Sequence, residues 1–272
     1  MTSGRLRMLP FVLLLVAAAL AGCAGREPAP AAQSAPPPAP APAPRAAEVS
    51  PQQRSQLHTD LAAGYYERGK MQVALEELRE AVQLDPANAR AYNIYGLVYT
   101  MLRDEPKAVA SFERALALAP ADSEIHHNWG WYLCGHGKPR EAVAEFETAL
   151  RNPLYRTPEI ALVNAGRCAA SYGDVKAAEA YYRRALATAP NDANAAYGLA
   201  LLAYKAAHFQ DARTFIKGAI NGSTPAPEAL YLGMCIERNL GDRQAELSYV
   251  SQLRNRYPEA AETRAIPTGQ CE

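Results

Sequence analysis

The chain has 272 residues, of which 49% are hydrophobic, enough for a sizeable core in one or two domains. Its 28 basic residues equal its 28 acidic ones, so there is no basic stripe and nucleic acid is excluded as a partner. The five cysteines are numerous enough to raise the question of an oxidising compartment.

The first 22 residues stand apart. Arg5 and Arg7 precede an apolar run from Leu9 to Ala19, and small residues follow, the pattern of a secretory signal. The run is too short to span a bilayer comfortably. Leu20-Ala21-Gly22-Cys23 resembles a bacterial lipobox, which implies that Cys23 becomes the acylated first residue, carrying palmitate-type chains. Ala24, where an inner-membrane signal would have Asp, implies an outer-membrane lipoprotein anchored on the periplasmic face. Several acyl chains hold far more firmly than a single myristoyl group. An ordinary cleaved signal with an incidental cysteine is the alternative. Between Ala24 and Pro51, 19 of 28 residues are Ala or Pro; such a stretch builds no core and extends as polyproline II. At ~3.1 Å per residue it reaches roughly 85 Å. The expected organisation is a signal over 1–22, an acylated tether over 23–51, a folded domain over 52–259 and a tail over 260–272.

The rest of the chain repeats itself. Ser55 to Asn88 carries Leu61, Ala62, Tyr65, Ala74, Leu78, Ala81 and Pro86. Ala89 to Asp122 places Tyr95, Gly96, Tyr99, Ala108, Phe112, Ala115 and Pro120 at the same offsets. Small residues at Gly96 and Ala108 let two antiparallel helices approach, Phe112 fills the space beside them, and Pro120 stops the second helix. Ser123 to Arg156 gives Trp129, Gly130, Leu133, Ala142, Phe146 and Ala149; two extra residues, Thr157 and Pro158, then shift the frame. Glu159 to Asp192 restores it with Ala165, Gly166, Ala178 and Tyr182, Ala193 to Pro225 is weaker, and Ala226 to Glu259 is last. These segments resemble tetratricopeptide repeats. The resemblance implies an all-α, right-handed superhelical solenoid of about six helix–turn–helix units, each needing its neighbours to bury its apolar face. Asp242 to Tyr257 predicts a capping helix with Ala245, Tyr249, Leu253 and Tyr257 inward and Arg243, Glu246, Arg254 and Arg256 outward.

With Cys23 acylated, Cys134, Cys168, Cys235 and Cys271 remain, an even number for an exported chain. Cys134 and Cys168 fall on the first helices of successive repeats and predict a bridge; Cys235 and Cys271 are the leftover pair, open to bridging or not. His126, His127, Cys134 and His136 invite a metal, and a metal-dependent hydrolase using the last three is the one enzymatic alternative. Their spacing argues against it, since His126 occupies a packing position, His136 lies in a turn, and only His127 and Cys134 face inward. His58 and His208 stand alone. No phosphate-binding loop, HExxH or GxSxG pattern occurs. The expectation is a non-enzymatic chain without cofactor, catalytic residue, metal or small-molecule substrate.

Tetratricopeptide proteins work through their concave face, which implies a groove lined by Tyr66, Arg90, Asn93, Leu97, His127, Trp131, Arg167, Tyr197 and Tyr204. Its mix of aromatic, aliphatic and isolated polar groups suits a protein partner. Repeats that clamp a terminal carboxylate need Lys and Asn at two inner positions of one repeat, which this chain lacks. More specific are His127-Asn128-Trp129-Gly130-Trp131-Tyr132-Leu133-Cys134, Asn164-Ala165-Gly166-Arg167-Cys168, Ala178-Glu179-Ala180-Tyr181-Tyr182, Leu232-Gly233 and Leu240-Gly241-Asp242. With the lipobox and leash they resemble the PilF/PilW-like pilotins, lipoproteins of type IV pilus biogenesis. That resemblance implies binding to subunits of the pilus secretin and support of their outer-membrane localisation, oligomerisation or stability. A lipoprotein adaptor for peptidoglycan synthases or hydrolases is the rival within the binding class.

Overall fold

The computed structural model describes residues 49–222, 224–268 and 271. The expected signal, Cys23 and nearly all of the tether lie outside them. Twelve helices pair into six hairpins: α1 (Pro51–Glu67) with α2 (Met71–Leu84), α3 (Ala89–Met101) with α4 (Glu105–Leu118), α5 (Ser123–Gly135) with α6 (Pro139–Leu150), α7 (Pro158–Ser171) with α8 (Val175–Thr188), α9 (Ala193–Lys205) with α10 (Phe209–Ile220), and α11 (Pro227–Leu240) with α12 (Arg243–Arg256). A short α13 (Ala261–Ala265) and a 3₁₀ turn, Ile266–Thr268, follow. No strand occurs among the described residues, and no helix there is long and apolar enough to cross a membrane.

Local chemistry sets the boundaries. Ser50 and Gln53 close a reciprocal capping box at the start of α1, with Pro51 in the first turn. Asn88, Asp104, Asp122, Asp174, Asp192 and Asp242 cap later helices through their side-chain oxygens. Each hairpin turns through a left-handed residue; Gly137 does so at φ 76°, whereas Arg103 adopts φ 59° despite its Cβ.

In the second, third, fourth and sixth hairpins a glycine on the first helix accepts an aromatic ring from the second. A Cβ on Gly96 would lie 2.6 Å from the Phe112 ring, and one on Gly166 2.8 Å from Tyr182. Phe112 and Phe146 are fully buried. Between hairpins, Trp129 of α5 packs on Phe112 of α4, ring centroids 5.4 Å apart. Leu61, at the position corresponding to Trp129, is 50% exposed, because no preceding hairpin among the described residues covers α1.

Two sequence expectations are corrected here. His58 does not stand alone: its Nδ1 lies 2.6 Å from Glu77 on α2, and His126 repeats that contact with Glu145 on α6, also at 2.6 Å. On α12 Leu253 is buried with Tyr249 and Tyr257 packed beside it, as expected, but the buried face also takes in Glu246 and Val250, so Glu246 is buried rather than outward. The reason is the C-terminal segment, which folds back and buries Ile266 against α11 and α12. Glu246 is held by Arg238 at 2.9 Å and Arg243 at 2.7 Å. Burial pushes its carboxyl up in pKa, but the two arginines outweigh that and hold it below the usual range. Cys271 is bridged to Cys235, with Cα atoms 5.5 Å apart.

Candidate protein-binding groove

The groove is built around a loop that breaks the repeat. The residues inserted between α6 and α7 carry Tyr155 into the interior, 8% exposed, while its neighbour Leu154 is 84% exposed. The Tyr155 hydroxyl lies 2.7 Å from Nδ1 of His127 on α5. On the other side of the imidazole, Asn164 Nδ2 lies 3.5 Å from Nε2, and Asn164 Oδ1 accepts from Arg167 at 2.9 Å.

Both ring nitrogens thus have a partner, the Tyr155 hydroxyl at Nδ1 and the Asn164 amide at Nε2. Burial pushes His127 down to about 4, so the ring is neutral near pH 7. Burial also pushes Tyr155 up to about 12, keeping its phenol protonated. A chain of hydrogen bonds therefore runs from the interior to Arg167, whose guanidinium is anchored at one corner by Asn164.

Two concavities flank Arg167. A larger one of ≈ 1070 Å³ runs along α7, α9 and the start of α11, lined by Ile160, Val163, Asn164, Tyr197, Leu201, Lys205 and Glu228 among others. A smaller one of ≈ 390 Å³ lies over the ends of α3, α5 and α7, with Thr100, Trp131, His136 and Ser171. Arg167 lines both.

The expected groove residues separate accordingly. Arg167 and Tyr197 line the larger concavity, and Arg167 and Trp131 the smaller. Asn93 is 3% exposed and hydrogen-bonded to Asn128, which places it in the wall rather than on the surface. His127 is likewise committed to Tyr155. Arg90 is exposed and paired with Asp60. Tyr66 and Leu97 pack beside the hairpin cores, and the Tyr204 hydroxyl donates to the Cys271 carbonyl at 2.8 Å, so the returning tail covers that end of the face. The sequence reading missed Asn164 and Lys205, which lie one register off the inner positions; the aromatic Tyr155 beside the frame shift was the available signal.

Cys134 and Cys168 are bridged with Cα atoms 5.9 Å apart, joining α5 to α7 under the smaller concavity. The sulfur that the metal alternative required is thus consumed. His136 stacks on Tyr132 at 3.9 Å, and among the described residues no three His, Cys, Asp or Glu side chains gather as a metal site.

A stack of helical hairpins with a lined inner face defines a tetratricopeptide-repeat scaffold. The family signature described as "Tetratricopeptide repeat" matches residues 59–123 and 127–193, and a second signature of the same description matches 169–230. Within that class the chain belongs to the family of PilW and PilF. It superposes on the crystal structure of PilW, titled a widely conserved type IV pilus biogenesis factor, with a TM-score of 0.73 and 34% identity, covering 79% of this chain and 99% of that one. The type IV pilus assembly protein PilF of Pseudomonas aeruginosa is 25% identical over 205 residues, 75% of this chain and 81% of that protein. A solved structure of Pseudomonas aeruginosa PilF shares the fold, with a TM-score of 0.73 at 24% identity, covering 81% of this chain and 99% of that one.

Proposed function

We propose that the chain is a non-enzymatic assembly factor of the type IV pilus, anchored through acylated Cys23 to the periplasmic face of the outer membrane, that binds secretin subunits through its inner face. The observation that carries this reading is the likeness to PilW, which extends over nearly the whole of that chain at 34% identity. The groove supports it, because exposed apolar, aromatic and polar groups in one concavity suit a polypeptide rather than a reacting small molecule.

The mechanism is mass action through a tether. A solenoid fixed at the membrane by its leash raises the local concentration of the subunits it holds where they must insert and join. Nothing needs to turn over. Replacing Cys23 with Ala is expected to leave the repeats folded but misplaced, with secretin oligomers strongly reduced or in the wrong membrane when envelope fractions are blotted. Normal secretin oligomers in that strain would overturn the mechanism. In co-purification from envelope extract, secretin peptides are expected; peptidoglycan synthases or hydrolases in their place would favour the cell-wall adaptor.

A further inference from the structure

Arg167 is the point that any chain lying along both concavities must pass. Its guanidinium forms no ion pair among the described residues, in contrast to Arg184 with Glu147 and Arg213 with Glu237. One of its nitrogens donates to Asn164, which leaves most of its N–H donors for other partners. Lys205, at the end of α9, lines the larger concavity and also lacks a carboxylate partner among the described residues. Among the described residues the acids on the same lining form no ion pair with either: Asp192 caps α9, accepting from Ala195 at 2.7 Å, and Glu228 sits in the first turn of α11.

We infer that the groove recognises an extended partner segment bearing an acidic side chain, whose carboxylate docks on Arg167 while apolar residues on either side seat against Tyr197 and Leu201 in one direction and Trp131 in the other. The inference rests on the groove being the seat of a protein partner and adds the chemistry that partner must carry. A planar guanidinium held at one edge suits two parallel hydrogen bonds to a carboxylate, a geometry a lysine cannot reproduce. The hydrogen bond from Arg167 to Asn164 lowers the conformational cost of binding.

The test uses the full chain in detergent and short labelled peptides in which one Glu, Gln or Lys is flanked by Leu and Phe. Fluorescence anisotropy is expected to show the Glu peptide binding about 10- to 100-fold more tightly than its Gln isostere, as for a charged hydrogen bond. Arg167→Met should abolish that preference and Arg167→Lys should retain part of it, with helicity by circular dichroism unchanged. Equal affinity for the Glu and Gln peptides, no binding of either, or a preference that survives Arg167→Met would each overturn the inference. Secretin capture is judged separately by co-purification, so either idea can fail while the other stands.

Discussion

His127 shows how much one side chain's environment decides. It stands next to His126 in sequence, yet the two are driven in opposite directions. The Glu145 hydrogen bond raises His126, whereas burial lowers His127 to about 4 from an ordinary 6.5. For His126 the folded state holds its proton more tightly than the unfolded chain. Its contribution is complete below 6.5 and fades as pH rises through the higher folded value. For His127 the unfolded chain takes up a proton that the folded one refuses, so stability falls as pH drops from 6.5 towards 4. The full size of that loss is about 3 kcal/mol. A carbon-13 NMR titration of the imidazoles is expected to show His127 neutral until about pH 4. A midpoint near 6.5 would mean an open, hydrated ring and no relay to Arg167.

At the scale of the element, the C-terminal hairpin is where sequence and structure part. The stripe Ala245, Tyr249, Leu253 and Tyr257 reads as an end-capping helix with one covered side. In the fold Tyr249, Leu253 and Tyr257 keep that side, and the buried face widens to Glu246 and Val250, where the returning tail adds Ile266. Helical periodicity cannot foresee that neighbour, because the tail's own apolar content is little more than Ile266. What ties it down is specific chemistry: the bridge to Cys235, the Tyr204 hydroxyl on the Cys271 carbonyl, and Thr263 donating to the Tyr257 carbonyl at 2.7 Å. Replacing Cys271 with Ser should therefore release it. The closed loop spans a sequence separation of 36, for which chain entropy gives about 3–4 kcal/mol of lost stability. Limited proteolysis is expected to cut the variant after Tyr257 long before the parent, with a lower melting temperature. An unchanged digestion pattern would show that packing alone holds the tail.

Across the whole molecule, the solenoid was legible because the same demand recurs in successive hairpins: a small residue on one helix facing a large one on the next, as at Gly96 and Phe112 or Gly166 and Tyr182. The groove was only partly legible. Arg167, Trp131 and Tyr197 follow from repeat register, but Asn93 is drawn into the wall by Asn128 of the next hairpin, and Asn164 joins the lining beside the inserted loop that carries Tyr155. The same architecture predicts uneven stability. In a stack where each repeat touches only its neighbours, an end repeat has one interface instead of two. Among the described residues the first hairpin is such an end, its core is largely Ala62, Ala74, Ala81 and Leu78, and Leu57 and Leu61 are 57% and 50% exposed. It is joined to the second hairpin through packing on Ala91, Ile94 and Val98, the Arg90–Asp60 pair, and Asn88, which donates to Ser55 and Thr59 at 2.8 and 2.9 Å. The last hairpin is also an end, but the bridged tail covers it, and the middle is cross-linked through Cys134 and Cys168. Hydrogen exchange is therefore expected to run fastest in α1 and α2 and slowest in α5 to α8, with α11 close to the middle. Reducing both disulfides should speed exchange in α11 and α12 well before it affects α1. Exchange that is equally fast at the two ends of the oxidised chain would show that the tail adds no protection.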